Sequence, residues 1–360
     1  MPKATAIGHR VVHGNICPTL ETTLQLLPAP IELYRVADEG PTGRRLRDDP
    51  AYHRVRHGVY APSAAWRDLK PWERYLARVH AYALRHPDAI FCLESAAVLC
   101  GLPVFGEPRD IHVFDPDRRG SQRIGDVLVH TGKVDRALAR ADHLQVVDIT
   151  DTVLDLARML PPAFGLSCVD TALGSAFGIE RDTLRERAQE LRSPRGTQRL
   201  KWVLDNADPA SESPAETVSR AVILWWGLEI PELQVVFHYE GCEDRVDFYW
   251  RRLRLIGECD GEKKYSDSDP KKAKRQLLQE KEREDRLRRH EGGMTRWGWS
   301  VAMRGAPLRD RLALAGVPQV RPVQHAMLAT LLTHPRSFPP GQRLQVERDR
   351  LADEGGRAAR

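Results

Sequence analysis

The sequence predicts a multidomain protein of mixed α+β or α/β class, and three observations point there. A length of 360 residues exceeds what one ordinary core organises, so two or three domains are expected. Short runs of β-favouring residues are interleaved with segments whose apolar residues recur at helical spacing. A polar stretch, Asn206 to Ser213, separates two regions of different pattern and marks the clearest internal boundary. The expected divisions are 1–65, 66–205, 206–318 and a weakly ordered tail over 319–360.

Each element has a local reason. The first fifty residues are rich in Pro, Gly and Arg and read as irregular. Tyr52 to Tyr60 reads as a short strand bent at Gly58, with Arg54 and Arg56 on one side. Pro71 to Leu84 carries apolar residues at helical spacing, and Pro71 suits a first-turn position. Glu94 to Leu99 forms a second helix, stopped by Gly101 and Pro103; Ile111 to Phe114 and Val127 to His130 are strands. Asp151 to Leu160 is an amphipathic helix capped by Thr150 or Asp151 and ended by Pro161 and Pro162. A helical pair covers Cys168 to Phe177 and Arg181 to Leu191.

Beyond the polar break, a helix opens at Ser213 and runs to about Trp226. Strands Leu233 to Tyr239 and Arg245 to Trp250 are joined by the turn Glu240 to Glu243, and Leu253 to Asp260 returns antiparallel. A charged helix, Lys271 to Glu291, leads to the strand-like Trp297 to Val301. Ala326 to Leu332 suits a turn of helix, ahead of the motif Pro335-Arg336-Ser337-Phe338-Pro339-Pro340.

Composition narrows the function classes. A hydrophobic share of 41% beside 29% charged residues describes a soluble globular chain. A net charge of +5 permits nucleic-acid binding without demanding it. The six cysteines are scattered with no CxxC pair, which reads as reduced thiols in a cytosolic protein. Met1 to Arg10 lacks a signal-peptide core, and no apolar run approaches the ~20 residues that span a bilayer. No membrane association and a cytoplasmic location are therefore expected.

The most informative chemistry lies in one acidic hairpin. Asp247 sits between Val246 and Phe248, and Glu258 and Asp260 flank Cys259, inside runs where β-propensity disfavours acids. Unpaired buried carboxylates cost several kcal/mol, so a metal ion, a lysine or both are expected beside them. If Arg251 and Arg252 make the turn, Asp247 lies opposite Ile256 and diagonal to Glu258, close enough for both acids to reach one cation. Glu258 and Asp260, two apart, face the same way. Such an oxygen set suits Mg²⁺, with Mn²⁺ as its alternative.

The order Glu216, then Val246-Asp247-Phe248, then Glu258-Cys259-Asp260-Gly261 resembles the restriction-endonuclease-like fold, the PD-(D/E)XK superfamily, in its very-short-patch-repair-like branch. The likeness covers about Ser211 to Leu314 and implies an αβββαβ domain that hydrolyses DNA. It makes Asp247 and Glu258 metal ligands, with Asp260 beside them, and Glu216 the helix acid that completes the site. The superfamily's lysine position is held here by Asp260, and Lys264 is the candidate substitute. The resemblance also implies that Lys263, Lys281, Arg283 and Arg286 face the DNA backbone, in contacts that are independent of base sequence.

Further upstream, His57 to Tyr60, Leu93 to Pro103 and Thr152 to Arg158 resemble actinobacterial proteins with an AbiEi-type antitoxin domain, over about Pro50 to Asp205. That likeness implies a divergent winged helix followed by a small α/β domain, with Arg54 and Arg56 near DNA phosphates. It implies DNA as a partner, and a nucleotidyltransferase toxin or another defence-system protein as a second.

Plainer readings stand beside these. Ser213-x-x-Glu216 is also a capping box. Asp247 and Glu258 also suit a solvent-facing row paired with Arg245 or Arg254, and Asp260-Gly261 is also a good turn. The charged helix supports itself through Glu282–Arg286 and Glu284–Arg288 at i,i+4. His112 and His130 read as structural, Trp297 and Trp299 as core, and no histidine partners Ser95 for hydrolase chemistry. A non-catalytic DNA-binding regulator of the antitoxin type is the rival to the nuclease, and a partner-binding component of a defence or repair system is a third reading.

Overall fold

The structure, a computed structural model, describes residues 9–12, 15–18, 25–38, 45–132, 134–141, 143–261, 270–332 and 336–338. The chain divides into two units. The first takes Met1–Leu156, Thr183–Pro194 and Pro335–Arg360, and the second Ala157–Asp182 and Arg195–His334.

In the first unit the strands are β1 (His9–Val12), β2 (Asn15–Pro18), β3 (Tyr34–Arg35), β4 (Tyr52–Arg56) and β5 (Val59–Pro62), followed by helices α1 (Ser63–Asp68) and α2 (Pro71–Ala83). Next come β6 (Ile90–Phe91), α3 (Leu93–Cys100), β7 (Ile111–Phe114), β8 (Gln122–Ile124), β9 (Val127–His130), β10 (Ala137–Ala141), β11 (Leu144–Val147) and α4 (Ile149–Met159). Eight strands pair in the order β2-β1-β10-β11-β6-β7-β9-β8, and three in the order β3-β5-β4.

Three expectations change here. Tyr52 to Tyr60 is a hairpin rather than one bent strand, because Gly58 at φ +73° reverses the chain. The opening fifty residues, expected to be irregular, supply β1, β2 and β3; β1 pairs with β10, so a sheet crosses the boundary expected at residue 65. Among the described residues before Tyr52, the helical element is a single 3-10 turn, Arg45–Arg47.

The second unit holds α5 (Pro162–Leu173), α7 (Thr197–Asn206) and α8 (Pro214–Trp225); α6 (Arg181–Glu190) lies between α5 and α7 in the chain. Then follow β12 (Glu232–Tyr239), β13 (Cys242–Trp250), β14 (Leu255–Asp260), α9 (Pro270–His290), β15 (Gly293–Gly298), α10 (Trp299–Arg304), α11 (Ala306–Leu314) and α12 (His325–Ala329). The four strands pair in chain order, antiparallel twice and then parallel from β14 to β15. That parallel step needs a crossover, which α9 supplies.

Glu240 and Gly241, at φ +53° and +75°, close the β12–β13 hairpin in two residues, the left-handed pair of a type I′ turn. The sheet is covered on both faces. Ile256 packs with Leu287 of α9, whereas a Cβ on Gly257 would come within 2.8 Å of Trp297, whose indole donates to Ser219 of α8. Consecutive strand residues face opposite ways, so α9 and α8 take opposite faces. Trp299 to Val301, expected as strand, is helical instead: β15 ends at Gly298, which serves as the N-cap of α10. The tail expected to be weakly ordered contributes α12, and Val320 and Gln324 donate to the carbonyls of Gly227 and Trp225.

Candidate functional site

The β13–β14 register sets the site. Phe248 pairs with Gly257, Tyr249 with Ile256 and Trp250 with Leu255. Continued one step, this places Asp247 opposite Glu258 rather than diagonal to it. The turn is longer than expected, with a 3-10 turn at Arg251–Leu253 and Arg254 left-handed at φ +49°. The resulting shift is two residues, which keeps both acids on the expected common face. The Asp247 carboxylate takes the N–H of Cys259 at 2.8 Å, a bond that a side chain makes where the ladder lapses.

Glu216 reaches the same place from the first turn of α8. Ser213 caps that helix by accepting the Glu216 N–H at 3.2 Å, while Glu216 accepts from the Ser213 hydroxyl at 2.7 Å and the Glu212 N–H at 3.1 Å. Capping and site membership therefore coincide in one residue. A third strand contributes Gln234. It stands opposite Asp247 on β12, adopts φ +51° and donates its amide to Glu216 at 2.9 Å, with Asp247 also within its reach. A non-glycine residue in the left-handed region within a strand stores strain, and strain of this kind gathers at functional sites. Sequence reasoning missed Gln234 because nothing in a run of Leu, Gln and Val signals a left-handed residue within a strand.

The electrostatics follow from burial. Desolvation pushes the Glu216 carboxyl above its ordinary range, and the Asp247 charge pushes it further. Desolvation also raises Asp247, against the Cys259 N–H that stabilises its charged form. Glu258 rises to about 7: burial is the main cause, Arg283 opposes it and Asp247 adds to it. The Asp247 charge thus disfavours ionisation of both Glu216 and Glu258 in a poorly solvated place, and strongly perturbed acids of this kind mark a candidate functional site.

The residues expected to touch DNA are placed differently. Arg283 turns inward, donating to Glu258 at 2.8 Å and to the Arg245 carbonyl at 2.6 Å. Arg286 forks onto Asp244, itself 5% exposed, at 2.7 and 2.8 Å. Both guanidiniums answer buried acids. Lys281 is exposed on α9. Asp260 adds its charge to the repulsion on Asp247 but has an arginine of its own: Arg296 forks onto it at 2.5 and 3.1 Å and also bridges to Glu280 at 2.8 Å. Arg296 is the cross-strand neighbour of Glu258 and helps hold its charge, a role visible only once β14 and β15 are known to be parallel. Lys263 and Lys264 lie outside the described residues. In the first unit, Arg56 pairs with Asp126 at 2.8 Å, and Arg54 lies half-buried on β4.

Among the described residues, no group of three or more His, Cys, Asp or Glu side chains is arranged to hold a metal ion, and no helix is long and apolar enough to cross a membrane. What the arrangement offers a cation is a facing pair, Asp247 and Glu258. Mg²⁺ commonly takes one or two carboxylates and keeps its remaining waters, so the pair fits that ion.

No protein-family model matches the sequence. No solved structure matches it either. Two uncharacterized proteins of Mycobacterium tuberculosis do: MT2308 of strain CDC 1551 / Oshkosh and Rv2248 of strain ATCC 25618 / H37Rv, each 33% identical over 206 residues, spanning 57% of this chain and 72% of the relative. With a third of positions shared over nearly three quarters of their length, this chain belongs to the family of those mycobacterial proteins.

Proposed function

We propose that the second unit is a Mg²⁺-dependent endodeoxyribonuclease of the restriction-endonuclease-like, very-short-patch-repair-like kind. The carrying observation is the convergence of Glu216, Asp247 and Glu258 from α8, β13 and β14, with burial raising the proton affinity of all three. The element order α8-β12-β13-β14-α9-β15 is also the αβββαβ order that the sequence resemblance implies. Asp247 and Glu258 would hold Mg²⁺ or Mn²⁺, which when bound supplies an acidified water and charge stabilisation at phosphate. Glu216, fixed by its own cap and by Gln234, orients Asp247's surroundings. Lys264 is the proposed group that positions water or phosphate. The region that resembles AbiEi-type proteins, about Pro50 to Asp205, would serve DNA binding or regulation in defence or repair as a divergent winged helix and small α/β domain, with DNA and a toxin-type protein as partners.

The test pairs Mg²⁺ titration calorimetry with plasmid nicking. Asp247→Ala and Glu258→Ala are expected to lose both metal binding and nicking while keeping the wild-type circular dichroism. Unchanged nicking in both variants would overturn the proposal.

One observation favours a second reading, a non-catalytic DNA-binding regulator: Arg283 already neutralises Glu258 at 2.8 Å. On that reading the guanidinium permanently takes the cation's place. Wild-type protein would then bind DNA but show no Mg²⁺ heat, and Arg283→Ala would unfold it rather than open a metal site.

A further inference from the structure

The first unit holds a second concentration of buried charge, unrelated to the nuclease reading. Glu94 on α3 and His112 on β7 are 4% and 2% exposed. Arg336 enters between them: one terminal nitrogen donates to Glu94 at 2.7 Å and to His112 Nε2 at 3.2 Å, and its Nε meets the other Glu94 oxygen. With Nε2 accepting, the His112 ring proton sits on Nδ1 and donates to His130 Nε2 at 2.9 Å. A carboxylate buried this deeply demands a cation, and the neutral histidine pair supplies none.

Arg336 arrives on a segment that lies along the loop 105–109 and joins it through one antiparallel bridge. Ser337 bridges Pro108 in antiparallel sense, Arg109 N–H donates to the Arg336 carbonyl at 2.8 Å, and Phe338 N–H donates to the Glu107 carbonyl at 2.9 Å. The Ser337 hydroxyl donates to the Phe105 carbonyl at 2.7 Å, and the Arg78 guanidinium lies 5.9 Å from the Phe338 ring centre. The loop is shaped for this neighbour. Gly106 sits at φ +67°, and a Cβ there would stand 3.1 Å from that of Ser337.

We propose that this groove is a recognition site for an extended, arginine-bearing peptide, and that Arg336-Ser337-Phe338 of this chain is the ligand it holds in cis. The parts match the known way of reading a peptide: main-chain bonds along an edge give affinity, and a side-chain pocket gives specificity. The pocket selects arginine because two nitrogens of one planar guanidinium meet the two Glu94 oxygens while one of them also reaches the His112 ring, a set of contacts that a single ammonium nitrogen does not make. The groove is built on residues 78–130, and its ligand comes from 242 positions beyond Glu94. Nothing in the covalent chain near the groove requires that occupant.

The experiment uses the full chain carrying Arg336→Ala and a fluorescent synthetic peptide spanning residues 332–341. The variant is expected to bind the natural peptide about 100-fold more tightly than the same peptide with alanine in place of arginine. Adding Glu94→Gln to the variant should abolish that preference, and wild-type chain should bind the natural peptide more weakly than the variant does. Equal affinity for the two peptides, or no binding by a folded Arg336→Ala chain, overturns the proposal. If Arg336→Ala does not fold, the full chain with Arg336→Lys is melted in N-methylguanidinium and in methylammonium. A rise in Tm with the guanidinium alone supports the site; equal responses overturn it.

Discussion

The first unit and the candidate site of the second treat buried carboxylates in different ways, while Asp170 and Asp244 of the second unit follow the first, each held by an arginine. In the first, Asp151 is fully buried and takes both Arg187 nitrogens at 2.7 and 2.9 Å and Arg136 at 3.1 Å. Glu94 in the same unit takes Arg336. In the second unit Glu216, Asp247 and Glu258 have one guanidinium in direct contact among the described residues, Arg283 on Glu258, with Arg296 acting on Glu258 from the neighbouring strand. Glu216 and Asp247 receive neutral donors: a hydroxyl, an amide side chain and backbone N–H groups. Acids buried for architecture are matched by cations that stay with them. Acids left in surplus, on the reading proposed above, are the ones a metal ion would meet.

The sharpest way to break this comparison is to remove support on each side. Arg187→Ala leaves Asp151 fully buried with half its compensation and is expected to cost about 3–5 kcal/mol in urea denaturation at neutral pH. Asp247→Asn removes a charge that burial disfavours, so it should leave stability within about 1 kcal/mol of wild type or raise it. A loss in Asp247→Asn as large as that in Arg187→Ala would erase the distinction.

The next largest effect is in pH. Glu258 has a folded value of about 7 against an ordinary 4.5, so its contribution to stability is whole below pH 4.5 and is lost as pH rises to 7. Shifts of this size correspond to about 3 kcal/mol. Urea midpoints for wild type and Glu258→Gln should therefore diverge in slope between those two pH values and run parallel above them; parallel curves throughout would mean that Glu258 is not held protonated. Metal affinity follows from the same group. Because a ligand carboxyl must lose its proton, Mg²⁺ binding should strengthen about tenfold per pH unit up to 7 and level off above it, as calorimetry would read. A flat profile would remove Glu258 from the metal set.

Much of this was legible in the residues, and the reasons for the rest are physical. Helices with strong periodicity and a proline start, such as Pro71–Ala83, were readable to within a residue, as were the strands Ile111–Phe114 and Val127–His130. The acids at 216, 247 and 258 were readable because charge inside strand-like runs contradicts propensity. Register was not, since it depends on how many residues a turn consumes, and Arg251–Leu253 consumes more than two arginines suggest. The direction of long side chains was not readable either. Arg283 and Arg286 look like a phosphate-facing row on a helix, yet Asp244 and Glu258 draw them in from across the sheet. Likewise Arg296 and Gln234 gain their roles only from neighbours on other strands.

The smallest effect concerns Gln234, and it separates strain from contact. Its φ of +51° is a conformation that glycine adopts freely and other residues do not. If the residue were present only to shape the strand, Gln234→Gly would relieve strain of about 1 kcal/mol and leave ligand binding untouched. If its amide is what holds Glu216 beside Asp247, the same substitution gains that stability while weakening Mg²⁺ binding severalfold. Gln234→Ala keeps the strain and loses the amide, so it should weaken the metal with no gain in stability. The two variants together therefore read out the two contributions separately: urea midpoints report the backbone, and calorimetric Mg²⁺ affinity reports the amide. Gln234→Gly binding Mg²⁺ as wild type does would confine Gln234 to architecture. It would also place the second unit's acids closer in kind to Asp151 than the present comparison holds.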